Sequence, residues 1–197
     1  LAFSRETNNK AEILVFTNQF QCYKSRLSDF DDGKASLLGD YLPQKLGMDP
    51  DEKVLQVILP GDYKGFVLFF FENGKAAKVP LNAYETKTNR RRLTGAYSDK
   101  SPLKACIVLD KDEQVVLYTS DNRAAIFSTA LLQPKTTRNT IGVTAVSLKK
   151  KAALTDAVLL EASGIANPSR YRCRNIPTAG AILKEEDAQE QQIQFEV

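Results

Sequence analysis

Short apolar runs, each closed by a polar turn and answered by a second run, recur along the chain. The clearest is Phe66 to Phe71, which is followed by Glu72-Asn73-Gly74 and then by Lys75 to Val79. Aromatic and β-branched residues over such a length, broken by Asn-Gly, predict a β-hairpin with a type I′ turn. The run Leu14 to Leu27 (LVFTNQFQCYKSRL) matches Leu68 to Leu81 (LFFFENGKAAKVPL) position for position, Leu14 falling on Leu68 and Leu27 on Leu81. A third copy, Val116 to Phe127 (VLYTSDNRAAIF), falls on the second with Val116 at Leu68, and carries Asp121-Asn122 at its turn. A divergent fourth copy is read from Val158-Leu159-Leu160 through a Gly/Asn/Pro loop to Tyr171 through Pro177. Between the hairpins lie further strand signals at Val54 to Leu59, Ala105 to Leu109 and Ile141 to Leu148, while long helical periodicity is scarce.

Units of about four strands repeating at this period predict blades set around an axis, as in propellers. One blade is too thin to bury both of its faces, so stacking must supply the core. The expected class is therefore all-β, with about four visible repeats near 11–60, 65–110, 114–156 and 157–180. Together these form one domain over 1–183. A β-sandwich containing similar hairpins by chance is the alternative.

Composition narrows the chemistry. The chain has no histidine, which removes Ser/His and Cys/His nucleophile pairs and most zinc sites. Cys22, Cys106 and Cys173 are too far apart for a CxxC pair and read as reduced core thiols. No apolar stretch is long enough to span a bilayer, so a cytoplasmic protein without membrane contact is expected. A chain opening on Leu1 is expected to begin inside a longer protein.

Charge is uneven. Five acids and no base follow Lys184, so the net +3 of the whole becomes +8 for residues 1–184. A basic body predicts a polyanionic partner. The tail, 184–197, has no core-forming pattern and is expected to lack fixed structure.

The run Phe70 to Tyr84 (FFENGKAAKVPLNAY) resembles the repeat of the C-terminal domain of the A subunits of DNA gyrase and topoisomerase IV. Arg138-Asn139-Thr140-Ile141-Gly142-Val143 is similar to the strand that follows the hairpin in those repeats, and the likeness runs over most of residues 11–160. The resemblance implies a β-pinwheel, a propeller-like array of four-stranded blades that exchange strands, with duplex DNA bent around a basic rim. Family discs usually have five or six blades. Gyrase A subunits also carry a Gln-Arg-Arg-Gly-Gly-Lys-Gly box in one loop. The comparable stretch here, Asn89-Arg90-Arg91-Arg92-Leu93-Thr94-Gly95, lacks the paired glycines and the lysine. That favours a topoisomerase IV-like or divergent gyrase-like chain. Acidic tails in some gyrase A subunits restrain wrapping, which gives 184–197 the same expected role.

The candidate DNA contacts are Lys24, Arg26, Lys75, Lys78 and Arg123 on the hairpins, and Arg90, Arg91, Arg92, Lys135 and Arg138 between them. The run Lys149, Lys150 and Lys151 completes the set. Wrapping needs many distributed phosphate contacts to offset the cost of bending a stiff duplex. Weak base preference follows. The resemblance implies no catalytic or metal residue and no cofactor in this domain, with ATP and magnesium handled elsewhere in the full enzyme. Its expected partners are duplex DNA, the rest of the A subunit and the ATPase B subunit. The acidic group Asp29, Asp31 and Asp32 reads as a hydrated loop rather than a metal site. The alternative function is a propeller-type protein-interaction domain.

Overall fold

The computed structural model describes residues 10–30, 41–86 and 91–192. Three hairpins form first along the chain: β1 (Glu12–Thr17) with β2 (Gln21–Arg26), β4 (Phe66–Phe71) with β5 (Lys75–Pro80), and β8 (Gln114–Thr119) with β9 (Arg123–Ser128). Their first strands open at Glu12, Phe66 and Gln114, in the spacing read from the sequence. Each hairpin gains an edge strand on its first member from the segment that follows it: β3 (Val54–Ile58) on β1, β7 (Leu103–Leu109) on β4, and β11 (Leu154–Leu159) on β8.

The fourth strand of each sheet comes from farther along. β6 (Arg92–Thr94), beyond the second hairpin, joins β2 of blade 1. β10 (Val143–Thr144), beyond the third, joins β5 of blade 2, and β12 (Ala181–Ile182) joins β9 of blade 3. The result, among the described residues, is three four-stranded antiparallel sheets that exchange strands. A sequence repeat and a blade are therefore different objects, because each exchanged strand is lent to the blade before.

Successive residues of a strand face opposite sides, and the middle blade buries both. Val67, Phe69 and Phe71 meet Leu14, Phe16 and Cys22 of blade 1. Leu68 and Phe70 meet Val115, Leu117 and Phe127 of blade 3. This two-sided burial is why β4 is an unbroken apolar run rather than an alternating one. Phe69 sits 5.6 Å from Phe16 and 5.5 Å from Tyr97, ring centre to ring centre. Each such side chain contributes about 1.5–3 kcal/mol on burial.

The hairpin turns differ from expectation. Gly74 N donates to Phe71 O at 2.9 Å and Asn122 N donates to Thr119 O at 3.1 Å. The left-handed residue comes after each of these turns, at Gly74 (φ 79°) and Asn122 (φ 57°), with Phe20 (φ 59°) in the same place in blade 1. These are three-residue loops in which a turn is followed by a left-handed residue, not two-residue type I′ turns. At Phe20 the conformation costs roughly 1–2 kcal/mol. Its ring packs edge-on to Tyr97 at 5.4 Å, and its carbonyl accepts from Ala96 N at 2.9 Å.

The divergent fourth copy does not form a hairpin. Val158 belongs to β11, and the segment after it makes two short 3-10 turns, Leu160–Ala162 and Pro168–Arg170. Without a long strand run on either side of its loop, this stretch instead lays Ile165, Tyr171 and Leu183 over Val116, Tyr118 and Ile126 and closes the free face of blade 3. The free face of blade 1 is closed by Leu27, Phe30, Leu42, Leu46 and Met48, packed on Ile13, Val15 and Tyr23. Leu42 and Leu46 bound the short helix α1 (Leu42–Leu46).

The described part of the acidic end, up to Gln192, is helical rather than without fixed structure. It starts with helix α2 (Glu185–Gln192), in which Asp187 is fully buried. Its carboxylate accepts from the Tyr171 hydroxyl at 2.6 Å and from Asn167 N at 3.0 Å.

Candidate nucleic-acid interface

Neighbouring blades meet along one edge of each sheet, where β3 touches β7 and β7 touches β11. These edges converge toward the axis of the stack. The exchanged strands β6, β10 and β12 stand at the opposite ends of the sheets and so form its outer rim.

The segments leading into the exchanged strands run alongside the returning strands β2, β5 and β9. Lys24 N donates to Arg91 O at 2.7 Å in blade 1, and Lys135 N to Lys78 O at 2.9 Å in blade 2. In blade 3, Cys173 N donates to Ile126 O at 2.7 Å. One glycine position fixes how close this approach is. A Cβ on Gly142 (φ 71°) would lie 2.1 Å from Ala76 O, and one on Gly180 would lie 2.8 Å from Ala124 O. Both acceptors belong to the returning strands, so in blades 2 and 3 this close docking takes a glycine. Blade 1 has Arg92 at the matching register, opposite Tyr23.

Exposed bases cluster on these outer segments. Arg91 and Arg92 are exposed in blade 1, and Arg90 lies outside the described residues. The Arg92 guanidinium sits 5.7 Å from the centre of the Tyr23 ring, pairs with Asp49 at 3.0 Å and donates to Gln21 Oε1. An ion pair this exposed contributes at most about 1 kcal/mol. In blade 2, Lys135 is exposed and Arg138 is half-buried, donating to Ala83 O at 3.1 Å. In blade 3, Arg172 and Arg174 are both exposed, and Arg172 donates to Gln114 Oε1 at 3.3 Å.

Arg172 and Arg174 stand outside the set of bases read from the sequence, which places them on a strand of a fourth hairpin. The available signal is Gly180, which docks against β9 as Gly142 docks against β5. Lys149, Lys150 and Lys151 are exposed on the link between β10 and β11, beside the tip of the third hairpin.

The hairpin bases behave differently, and two of them correct the expectation. Lys24 and Lys78, which occupy the same position in successive repeats, are both buried. They share the strand face of Cys22 and Ala76, which points between blades. Lys78 Nζ pairs with Asp112 at 2.5 Å and donates to Thr129 O at 3.4 Å, with the Phe66 ring centre 4.5 Å away. The hydrogen bond from Lys78 holds the Asp112 carboxyl below its ordinary range. Lys24 Nζ lies 3.8 Å from Glu12, donates to Thr86 at 3.3 Å and sits 5.2 Å from the Tyr63 ring centre. These two lysines hold blades together and do not reach the rim.

Arg123 also serves the fold, donating to Gly180 O at 2.9 Å and pairing with Asp121 at 3.3 Å. Arg26 is exposed, and Lys75 is half-buried at the tip of its hairpin. Asp29 accepts from Arg26 N at 3.1 Å and Ser25 Oγ at 2.9 Å, which lowers its pKa and uses it as a cap. Asp31 and Asp32 lie outside the described residues. Among the described residues no three potential metal ligands cluster, and no helix is long and apolar enough to cross a membrane.

Three four-stranded antiparallel sheets with exchanged outer strands define a β-pinwheel, the fold of the C-terminal domains of bacterial type II topoisomerase A subunits. The structure matches the C-terminal domain of DNA topoisomerase IV with a TM-score of 0.78 at 18% identity, over 89% of this chain and 59% of that one. It matches the C-terminal domain of E. coli ParC with a TM-score of 0.69 at 10% identity, over 91% and 79%. For the gyrase A C-terminal domain the TM-score is 0.62 at 14% identity, over 92% and 64%.

In sequence the chain is similar to the A subunits of topoisomerase IV. It is 26% identical to the Staphylococcus epidermidis protein over 145 residues, covering 72% of this chain and 18% of that protein. It is 23% identical to a Staphylococcus aureus counterpart over 148 residues, covering 74% and 18%. The chain thus spans under a fifth of the length of these relatives. No protein-family model matches it.

Proposed function

We propose that this chain is a duplex-DNA-binding domain of a type II topoisomerase, of the topoisomerase IV or gyrase kind, and that it bends DNA around its outer rim. The observation that carries this reading is the placement of exposed bases. Exposed Arg91 and Arg92, Lys135, and Arg172 and Arg174 recur on the exchanged segments of the three described blades, with half-buried Arg138 beside Lys135. Phosphate contacts spread over an arc favour a bent duplex, because each added contact offsets part of the bending cost. Nothing in this array reads base edges, so affinity depends on phosphate and deformability.

On this reading the chain cuts no DNA itself. Cleavage, ATP and magnesium belong to other parts of a cytoplasmic enzyme, and the rest of the A subunit and the ATPase B subunit are its partners. The acidic tail acts as a competitor for the rim, with Glu186 of α2 already held against Arg170.

Binding to linear duplexes of increasing length tests the reading. Affinity should rise with length until the arc is filled and fall steeply with salt. A second reading, a protein-interaction domain, draws on Ile141, Val143 and Ile182, which are exposed on the same outer edge. Absence of duplex binding at low salt would select it.

A further inference from the structure

A notch opens at the corner where the rim of blade 2 meets the tip of its hairpin. It has a volume of about 100 Å³ and is lined by Asn73, Lys75, Ser98, Lys100 and Ser101, with Ile141 on the rim side. That is several times the ~10–15 Å³ one water needs.

Its polar groups are arranged for an anion. Ser98 and Ser101 are 3% and 9% exposed. Ser98 Oγ accepts from Lys100 N at 3.3 Å and Ser101 Oγ accepts from Asn73 N at 3.1 Å. With an N–H already donated to each oxygen, both hydroxyl protons remain to be given, and neither finds an acceptor among the described residues.

Lys75 has no carboxylate within ion-pair distance among the described residues. Its counterpart in blade 3, Arg123, is neutralised by Asp121 at 3.3 Å. Asn73 stands where that aspartate would be, so blade 2 keeps a cation at this register without its acid. Among the described residues Lys100 pairs only with Asp99, on the surface at 3.2 Å. Lys75 also lies opposite Thr144 of β10, which puts the notch on the same outer strand that Lys135 and Arg138 precede.

We propose that this notch binds a phosphoryl oxyanion, with Lys75 and Lys100 supplying charge and the Ser98 and Ser101 hydroxyls donating to its oxygens. Its source is a phosphodiester of the duplex on the rim; in this the proposal rests on the DNA-binding reading. A free phosphate has the same chemistry and is the other source.

The test follows the backbone amide signals of Asn73, Ser98, Lys100 and Ser101 by NMR as inorganic phosphate is added. It is paired with duplex binding across a salt series. Saturable phosphate shifts should appear in the wild type and be lost in Lys75→Gln and in the charge-neutral Ser98→Ala/Ser101→Ala. Lys75→Gln should also weaken duplex binding about three- to ten-fold and reduce the salt slope by about one. The exposed Lys111, on the far side of the blade from the hairpin tips, serves as the control.

Phosphate shifts that depend on Lys75 in a chain that binds no duplex would keep the notch, assign it to free phosphate and remove the DNA reading. Duplex binding that Lys75→Gln leaves unchanged, with no phosphate shifts, would overturn the notch and leave the rim standing. A duplex loss no larger than that of Lys111→Gln would also overturn it.

Discussion

The returning strands and the exchanged segments beside them are hydrogen-bonded neighbours, yet their basic residues have opposite fates. Lys135 N donates to Lys78 O at 2.9 Å. Lys135 is exposed, whereas Lys78 is 4% exposed and paired with Asp112. The pleat accounts for the difference. A strand flanked on both sides, within a stack of blades, sends every other side chain into an interblade space. The exchanged segment has a partner on one side only and turns its bases outward. A base that recurs at one register of a repeat therefore marks packing as readily as it marks a rim.

The contrast can be broken first at Gly142. Its alanine variant would carry a Cβ 2.1 Å from Ala76 O in a left-handed conformation. We expect a loss of about 3 kcal/mol or more, seen as a lower urea midpoint. The exchanged segment of blade 2 should undock with it, taking duplex binding down as well. Lys78→Met should come next, at about 1–3 kcal/mol, because Thr129 O loses a donor and Asp112 keeps only the Thr129 hydroxyl among the described residues. In conditions where this variant stays folded, its duplex affinity should match the wild type. A matching fall in affinity would put Lys78 on the rim after all.

Arg172→Gln/Arg174→Gln should do the reverse. Duplex affinity should fall roughly ten-fold, with stability changed by no more than about 0.5 kcal/mol. The smallest effect is on pH. Asp112 is held below its ordinary value of 3.8, first by the hydrogen bond from Lys78. A carboxyl depressed in the folded state stabilises the fold above its unfolded pKa, and the benefit fades as pH falls through the folded value. The stability gap between wild type and Lys78→Met should therefore narrow below about pH 4. A gap that widens there would reject the Lys78–Asp112 coupling.

Much of the fold was legible because it is written in local pattern. The three hairpins and their spacing follow from apolar runs bounded by turn residues, and β3 and β7 lie where short strand signals stood. Strand exchange entered only through family resemblance, since β6, β10 and β12 are two or three residues long and pair far away in sequence. β10 falls within the strand signal at Ile141 to Leu148, but a strand docked on one side needs little apolar pattern, so composition hardly marks β6 and β12.

The fourth repeat was misread because Tyr171 and Ile176 give a strand-like apolar rhythm to a segment that serves as a cover. In the tail, Asp187 looked like one more solvated acid. Its burial depends on the Tyr171 hydroxyl, a partner only the fold brings near. At the rim, the arginine run was visible but the inward turn of Lys24 and Lys78 was not. Charge alone does not reveal which face of a strand a lysine occupies.

The most direct test of the central claim is the salt dependence of linear-duplex binding, measured for the wild type and for three double glutamine variants: Arg91/Arg92, Lys135/Arg138 and Arg172/Arg174. A duplex that runs along all three exchanged segments predicts that each pair lowers the salt slope by a similar amount, about two. Slopes that stay at the wild-type value in all three variants, with binding intact, would contradict it and place the DNA elsewhere on the molecule.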